Sequence, residues 1–294
     1  MSLPISAALV KELRERTSAG MMECKRALEE SGGDIEKAIK TMREKGLAKA
    51  EKRAGHIAAE GLITALLSSD KKHGILMEIN CETDFVARAE DFISFAQSAA
   101  QKILSAQSAT VEEALTLTLD AGETIDDARR ALVSKLGENI QIRRFVNVST
   151  SHTLVTYIHG NRIGTLVEME GGNETLGKDI AMHIVASHPL VVSPQDVPQE
   201  LIQKEKDIFS AQAASSGKPA NIIEKMVAGR IQKFLDEVSL QGQPFVKNPD
   251  HSAGKLLDDH KAKVFSFTRY AVGEGIEKKV TDFAQEVMAQ VRGS

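Results

Sequence analysis

The sequence predicts an α+β protein. Three observations carry that prediction: a strand, turn, strand, helix pattern that occurs twice, a run of short amphipathic helices before it, and a helical hairpin after it. Leu62-Ile63-Thr64 recurs as Leu154-Val155-Thr156, 92 residues on. Gly74-Ile75-Leu76-Met77-Glu78-Ile79 recurs as Gly164-Thr165-Leu166-Val167-Glu168-Met169, 90 residues on, which implies a second hairpin turn shorter by two residues. Two related α+β subdomains side by side follow. The expected organisation is a three-helix module with a basic linker over 1–54, a core N-subdomain over 55–148 and a core C-subdomain over 149–294. The last carries a helical hairpin inserted at about 197–242 and a helical module at about 272–294.

Taken in order, Ser6 caps a first helix carrying Ile5, Leu9 and Leu13, and Gly20 precedes a second with Met22, Cys24 and Leu28. The turn Ser31-Gly32-Gly33 delivers Asp34 as the N-cap of a third, with Ile35, Ala38, Ile39 and Met42 on one face. So small a module resembles a ubiquitin-associated domain and buries little surface, which suits docking better than catalysis. Met21 and Met22 are read as one packed inward and one outward, where an adaptable thioether suits a binding surface. From Lys45 to Gly55, Lys49, Lys52 and Arg53 among alanines mark a helical linker, its charges a solvated face or a partner contact.

In the first copy, Ile75 to Ile79 is an apolar strand, and Phe85, Ala89, Phe92 and Ala96 then recur as the stripe of an amphipathic helix. The junction between them reads in two ways. Thr83 or Asp84 is an N-cap and Phe85 begins the buried stripe. Alternatively, the acid and the aromatic are presented at a strand–helix junction, where chains carry function. The duplication supplies a control: the second copy has Gly172-Asn173-Glu174-Thr175 there, without an aromatic, so Phe85 is not needed to close the subdomain.

Further on, Thr124 to Leu136 is a helix with Ile125, Ala128, Leu132 and Leu136 inward and Gly137 as its stop. Ile140, Ile142, Val146 and Val148 share one face of a strand, and the second copy's helix carries Ile180, His183, Ile184 and Ala186. After Pro189, Pro194 and Pro198, the hairpin has Leu201, Ile202, Ile208 and Phe209 on one arm and Val227, Ile231, Phe234 and Val238 on the other. Its turn is Ser215 to Pro219, and its narrow stripe is that of a coiled coil. Val264 to Ala271 is a strand, and Ile276, Val280, Phe283 and Val287 form a last amphipathic helix.

Composition narrows the function. With 37 basic against 41 acidic residues, net charge -4, no Trp and 4% aromatics, the chain lacks a polycationic surface and stacking platforms, which argues against nucleic acid as partner. Cys24 and Cys81 on separate segments suit a reducing compartment, and no apolar run approaches a membrane span, so a cytoplasmic protein is expected. Gly172 to Asp179 misses the phosphate-loop pattern at its last residue, where Asp179 would set a carboxylate beside phosphates. Gly273-Glu274-Gly275 has Lys278 where a dinucleotide fingerprint needs its third glycine, and is read as a helix start. No histidine pair has zinc-protease spacing, and no catalytic residue, metal site or cofactor is expected; His183 and His188 read as structural or solvated.

The segment Glu78-Ile79-Asn80-Cys81-Glu82-Thr83-Asp84-Phe85-Val86-Ala87-Arg88 resembles the second signature of the translation elongation factor Ts family, the guanine-nucleotide exchange factors of elongation factor Tu. Leu13-Arg14-Glu15-Arg16-Thr17-Ser18-Ala19-Gly20-Met21-Met22-Glu23-Cys24-Lys25-Arg26-Ala27-Leu28 resembles the first. Similarity continues through Lys135 to Ile140, His159 to Gly164, Gly242 to Val246 and Arg269 to Lys278, and so covers nearly the whole chain. The resemblance implies an exchange factor without covalent chemistry. Phe85 would be a wedge between helices of the partner, aided by Thr83, Asp84 and Val86, that disturbs the partner's Mg²⁺ site. It also implies contacts from Arg14, Met21, Met22, Lys25, Gly137, His159 and the last helix, and self-association through the hairpin. The alternatives are an adaptor for ubiquitin-like partners, which leaves the duplication unexplained, and a divergent phosphate-loop enzyme, which Asp179 opposes.

Overall fold

The structure, a computed structural model, describes residues 5–17, 19–214 and 219–277. Helices α1 (Ala7–Thr17), α2 (Met21–Glu30) and α3 (Ile35–Arg53) open it. The two expected caps form: Ser6 Oγ accepts from the Leu9 N–H at 3.2 Å and Asp34 from the Lys37 N–H at 3.0 Å. Val10, Leu13, Cys24, Ala27, Leu28 and Ala38 make a core of their own. The basic linker is the last turns of α3. Met21 and Met22 do not divide between inside and outside; they are 60% and 64% exposed. The buried stripe of α2 begins at Cys24, and both methionines lie in the turn before it.

The core begins with β1 (Glu60–Leu67) and β2 (His73–Cys81), followed by α4 (Asp84–Ala87), α5 (Glu90–Ala106), α6 (Val111–Thr116), α7 (Ile125–Leu136) and β3 (Gln141–Ser149). Then come β4 (Thr153–His159), β5 (Ile163–Glu170), α8 (Glu174–Ser187), α9 (Gln199–Ala214) and α10 (Ala220–Val238). A 3-10 turn (Pro194–Asp196) precedes α9, and a small hairpin of β6 (Pro244–Phe245) and β7 (Asn248–Ser252), α11 (Ala253–Asp259) and β8 (Lys263–Ala271) complete the described elements. Two antiparallel sheets result, with strand orders β1-β2-β3 and β4-β5-β8. The first packs its outer face on α5 and α7, with Ile75, Met77, Ile79, Phe92, Ala96 and Ile103 among the buried residues. The second packs on α8, with Val167, Met169, Ile180 and Ile184 among them.

The strand register corrects the sequence alignment of the two copies. Ile63 pairs with Glu78, and Leu154 pairs with Glu168. Leu154 therefore corresponds to Ile63, not Leu62, and the second turn is shorter by one residue instead of two. Side chains alternate across a strand, so a one-residue slip would carry Leu154 to the helix face. Instead Ile63, Leu76, Leu154 and Leu166 meet between the two sheets.

Both sheets carry a register shift at the same place, between Glu78 and Ile79 and between Glu168 and Met169. In the first, Arg143 is the extra residue, since Ile79 pairs with Ile142 and Glu78 with Arg144. This overturns the expectation that Ile140, Ile142, Val146 and Val148 share a face. The inserted residue reverses the alternation, so Ile140 and Ile142 join the helix-side core while Val146 and Val148 pack between the sheets.

The sheets approach closely at two matching glycines. A Cβ on Gly74 would lie 3.0 and 3.1 Å from Leu154 and Leu166; one on Gly164 would lie 2.7 and 3.1 Å from Ile63 and Leu76. Backbone bonds repeat the relation: the Ile63 N–H donates to Asn161 C=O at 2.8 Å, and the Leu154 N–H to Lys71 C=O at 2.9 Å. The interface is thus an approximate two-fold within one chain, each copy offering the other the same patch.

In the hairpin the two arms contact each other; Val227 is buried, and Leu201, Ile202, Phe209, Ile231, Phe234 and Val238 are half-buried. Ile208 and Ala186, both counted in apolar stripes, are exposed; Ala181 and Val185 fill the α8 stripe instead. The expected hairpin turn lies outside the described residues at 215–218, and the helical module expected from about 272 lies outside them from 278 on. The described residues 272–277 contain a turn with Gly273 and Gly275 at positive φ, not the expected helix start.

Candidate functional site

The junction after β2 is a single helical turn. Thr83 has extended backbone, φ -123° and ψ 157°, and its Oγ1 accepts from the Val86 N–H at 3.4 Å. Helix α4 then stops at Arg88, and Ala89, extended again, caps the start of α5. The expected continuous stripe from Phe85 to Ala96 is therefore broken. Of the two readings of the junction, the cap at Thr83 forms, but Phe85 does not begin a buried face. It is 82% exposed, the most exposed large apolar side chain among the described residues, whereas Phe92 is fully buried. A lone turn has no stability of its own. Val86 and Ala87 hold it from beneath by packing into the core with Cys81 and Phe92.

A pair of carboxylates holds it from the side. Glu138 Oε2 accepts from the Glu82 N–H at 3.1 Å and the Thr83 N–H at 2.9 Å, and Oε1 accepts from the Thr83 hydroxyl at 2.6 Å. In return Glu82 Oε1 accepts from the Asn139 N–H at 2.6 Å, while its Oε2 lies 3.2 Å from His56 Nδ1 and 3.5 Å from Arg53 Nη1. The Asn139 side chain donates to His56 C=O at 2.8 Å, which ties in the end of the α3 segment. Gly137 makes this geometry: at φ 78° it ends α7 in the left-handed region, and the chain turns to bring Glu138 to Thr83. Sequence reasoning did not single out Glu82, Glu138 or Asn139. Their signals were that Glu82 lies within the segment resembling the second signature and that Glu138 and Asn139 directly follow a helix stop inside another stretch of similarity.

Asp84, whose direction the sequence left open, turns back onto its own helix turn and pairs with Arg88 at 2.8 Å. Burial, with the nearby Glu138 and Glu60 charges, pushes the Cys81 thiol up to about 12, so it is an inert thiol and not a nucleophile. The other candidates stand apart. Arg14, Met21, Met22 and Lys25 are exposed on α1 and α2, over a different core from the one beneath Phe85. His159 is exposed at the end of β4, with its Nδ1 3.4 Å from the Tyr157 hydroxyl.

The polar groups elsewhere are structural. Glu78 is fully buried and accepts from Arg143 at 3.1 Å, Arg144 at 2.7 Å and the Gly273 N–H at 2.8 Å. Arg143 also donates to Glu274 C=O at 2.5 Å, so the end of β8 is moored to the first sheet. His183 is buried, accepts from the Val246 N–H at Nδ1 and donates from Nε2 to Gln243 at 3.0 Å. Burial lowers its pKa and keeps it neutral at the base of the hairpin. In the near phosphate-loop, Asn173 caps α8 and Asp179 is paired with Lys247 at 2.6 Å. Among the described residues there is no cluster of three His, Cys, Asp or Glu able to hold a metal, and no helix is long and apolar enough to cross a membrane.

Residues 82–274 match the family model described as Elongation factor TS, beginning at the anchoring Glu82. The chain is 57% identical to elongation factor Ts of Methylococcus capsulatus, covering 99% of this chain and 100% of the relative. It is 55% identical to that of Thioalkalivibrio sulfidiphilus over 99% and 100%, and 53% identical to that of Legionella pneumophila over 98% and 99%. Similarity of this extent, over a site whose geometry its own residues build, decides the matter: the chain belongs to the elongation factor Ts family of translation elongation factors.

Proposed function

We propose that the chain is a guanine-nucleotide exchange factor for elongation factor Tu, acting by binding and without catalytic residues or a cofactor of its own. One observation carries the reading: Phe85 stands 82% exposed on a turn fixed from beneath and from the side. A phenylalanine left in water forgoes about 1.5–3 kcal/mol of burial, so a rigid mount for it points to a partner that covers it. Phe85 inserts between helices of the partner. Thr83 and Val86 orient it, and Asp84 bonds to the displaced elements. Mg²⁺ in the partner's nucleotide site demands near-octahedral geometry, so a small shift of the elements that hold it weakens GDP. Arg14, Met21, Met22 and Lys25 grip the GTPase domain, while Gly137, His159 and the last helix add contacts.

The division into a ubiquitin-associated-like module over 1–54, core subdomains over 55–148 and 149–294, and a coiled-coil hairpin over about 197–242 belongs to the same reading. So do a cytoplasmic location, no role for nucleic acid, and self-association through the hairpin. Exchange without chemistry requires preference for the empty partner, and coupling is reciprocal, so GDP must weaken binding by the same factor. Calorimetric titration tests this. Binding is expected to be tight to nucleotide-free elongation factor Tu and to fall as GDP with Mg²⁺ is added. An affinity independent of nucleotide would make the chain a passive partner.

A further inference from the structure

We propose that Glu138 is a positioning residue for Phe85: its carboxylate, arriving from the end of α7, sets the direction in which the turn of α4 presents the ring. This rests on the reading of Phe85 as the residue that acts on the partner. A hydroxyl has one proton. The Thr83 proton goes to Glu138 Oε1 at 2.6 Å, which leaves the lone pairs of Thr83 Oγ1 toward the Val86 N–H that it caps. Both backbone N–H groups that lead into the turn, on Glu82 and Thr83, end on the other oxygen of the same carboxylate. Glu82 closes the clamp by accepting from the Asn139 N–H, so the two loops cross-hold each other.

The second copy shows what the clamp is not needed for. There the cap is Asn173, whose carbonyl accepts from the Leu176 N–H at 2.9 Å, and α8 continues to Ser187. That turn is held by its own helix. The turn under Phe85 is four residues long and cannot hold itself, so the job passes to a carboxylate 55 residues away in sequence.

The test is a cycle of full-length variants in a GDP-release assay on elongation factor Tu: Phe85→Ala, Glu138→Ala, Glu138→Gln, and each Glu138 change combined with Phe85→Ala. Glu138→Ala is expected to slow stimulated release about tenfold, since misplacing a group by an ångström costs up to about a hundredfold. Glu138→Gln, which keeps one acceptor oxygen, is expected to recover part of that. In the Phe85→Ala background neither change should matter further, because a residue that acts through the ring has nothing left to position. Equal fold losses in both backgrounds overturn the proposal, whatever their size. Circular dichroism sets the folded fraction, and if Glu138→Ala folds poorly the Glu138→Gln pair decides alone. Unchanged release with Phe85→Ala would sink the assignment of Phe85 as the residue that acts on the partner, and this inference with it, while the chain would remain an exchange factor. Slow release with Phe85→Ala plus further multiplicative loss from Glu138 would sink the inference and leave that reading standing.

Discussion

The two halves of the core share strand order, the position of the bulge and a capped helix start, and they part company within four residues of that cap. Thr83 and Asn173 each accept from the N–H three residues on. Val86 and Leu176 then face the core, 9% and 4% exposed. Between cap and core residue, the first copy has Phe85 and the second Thr175, and both are exposed. After it, the first helix breaks at Arg88 and Ala89, whereas the second runs on. Packing dictates the inward residues of such a turn, so they agree in kind; the outward position is free of that constraint, and there the copies diverge in chemistry. A second divergence sits at the bulge. Glu78 is fully buried among two arginines and a backbone N–H, while its counterpart Glu168, with a side chain 19% exposed, is held by Thr150, His152 and Ser266.

The largest effect expected from this comparison is at the glutamates. Glu78→Ala strands two partly buried arginines and frees the end of β8, and should cost ~3–5 kcal/mol, as for a broken buried ion pair. Glu168→Ala, at the wetter site, should cost about 1–3 kcal/mol. Urea unfolding of both variants checks the difference, and equal losses would mean that the mooring of β8 adds nothing.

Next come the aromatics. Phe92→Ala should cost ~3–5 kcal/mol because it empties a core position, while Phe85→Ala should change stability by less than about 0.5 kcal/mol and act on GDP release instead. The reciprocal swap sharpens the point: Phe85→Thr should behave as Phe85→Ala does, and Thr175→Phe should confer no exchange on the second copy. A large drop in melting temperature with Phe85→Ala would place that ring in the core and end its assignment.

The smallest expected effect is a pH dependence. The Thr150 hydroxyl foremost, then His152, hold the Glu168 carboxyl below its ordinary 4.5. A carboxylate with a lowered folded pKa binds more protons when unfolded, so its stabilisation is complete above pH 4.5 and is lost as pH falls through the folded value. The stability difference between the natural chain and Glu168→Gln should therefore hold steady above about pH 4.5 and shrink below it. A difference that grows on acidification would reverse the sign and the assignment.

Much of this molecule is legible in its sequence. The caps at Asp34 and Thr83, the glycine stop at 137 and the apolar stripes of the hairpin arms depend on residues within a turn or two of each other, and the repeat of Gly74 to Ile79 is visible as recurring letters 90 residues on. Apolar period and capping are local, so a single chain displays them. What tertiary structure alone decided are matters of facing. A bulge residue has no sequence mark of its own, so Arg143 could reverse the faces of β3 unannounced, and repeated letters could pair Leu62 with Leu154 although the ladder matches Ile63. Met21, Met22 and Phe85 are apolar residues in helical spacing, and only the absence of a packing element opposite them left them exposed. The clamp between Glu82, Thr83 and Glu138 joins residues 55 and 56 apart and exists because β2 and the end of α7 arrive together. Local rules place a side chain on a helix or a strand, but what it meets there is set by the element that the rest of the chain brings against it.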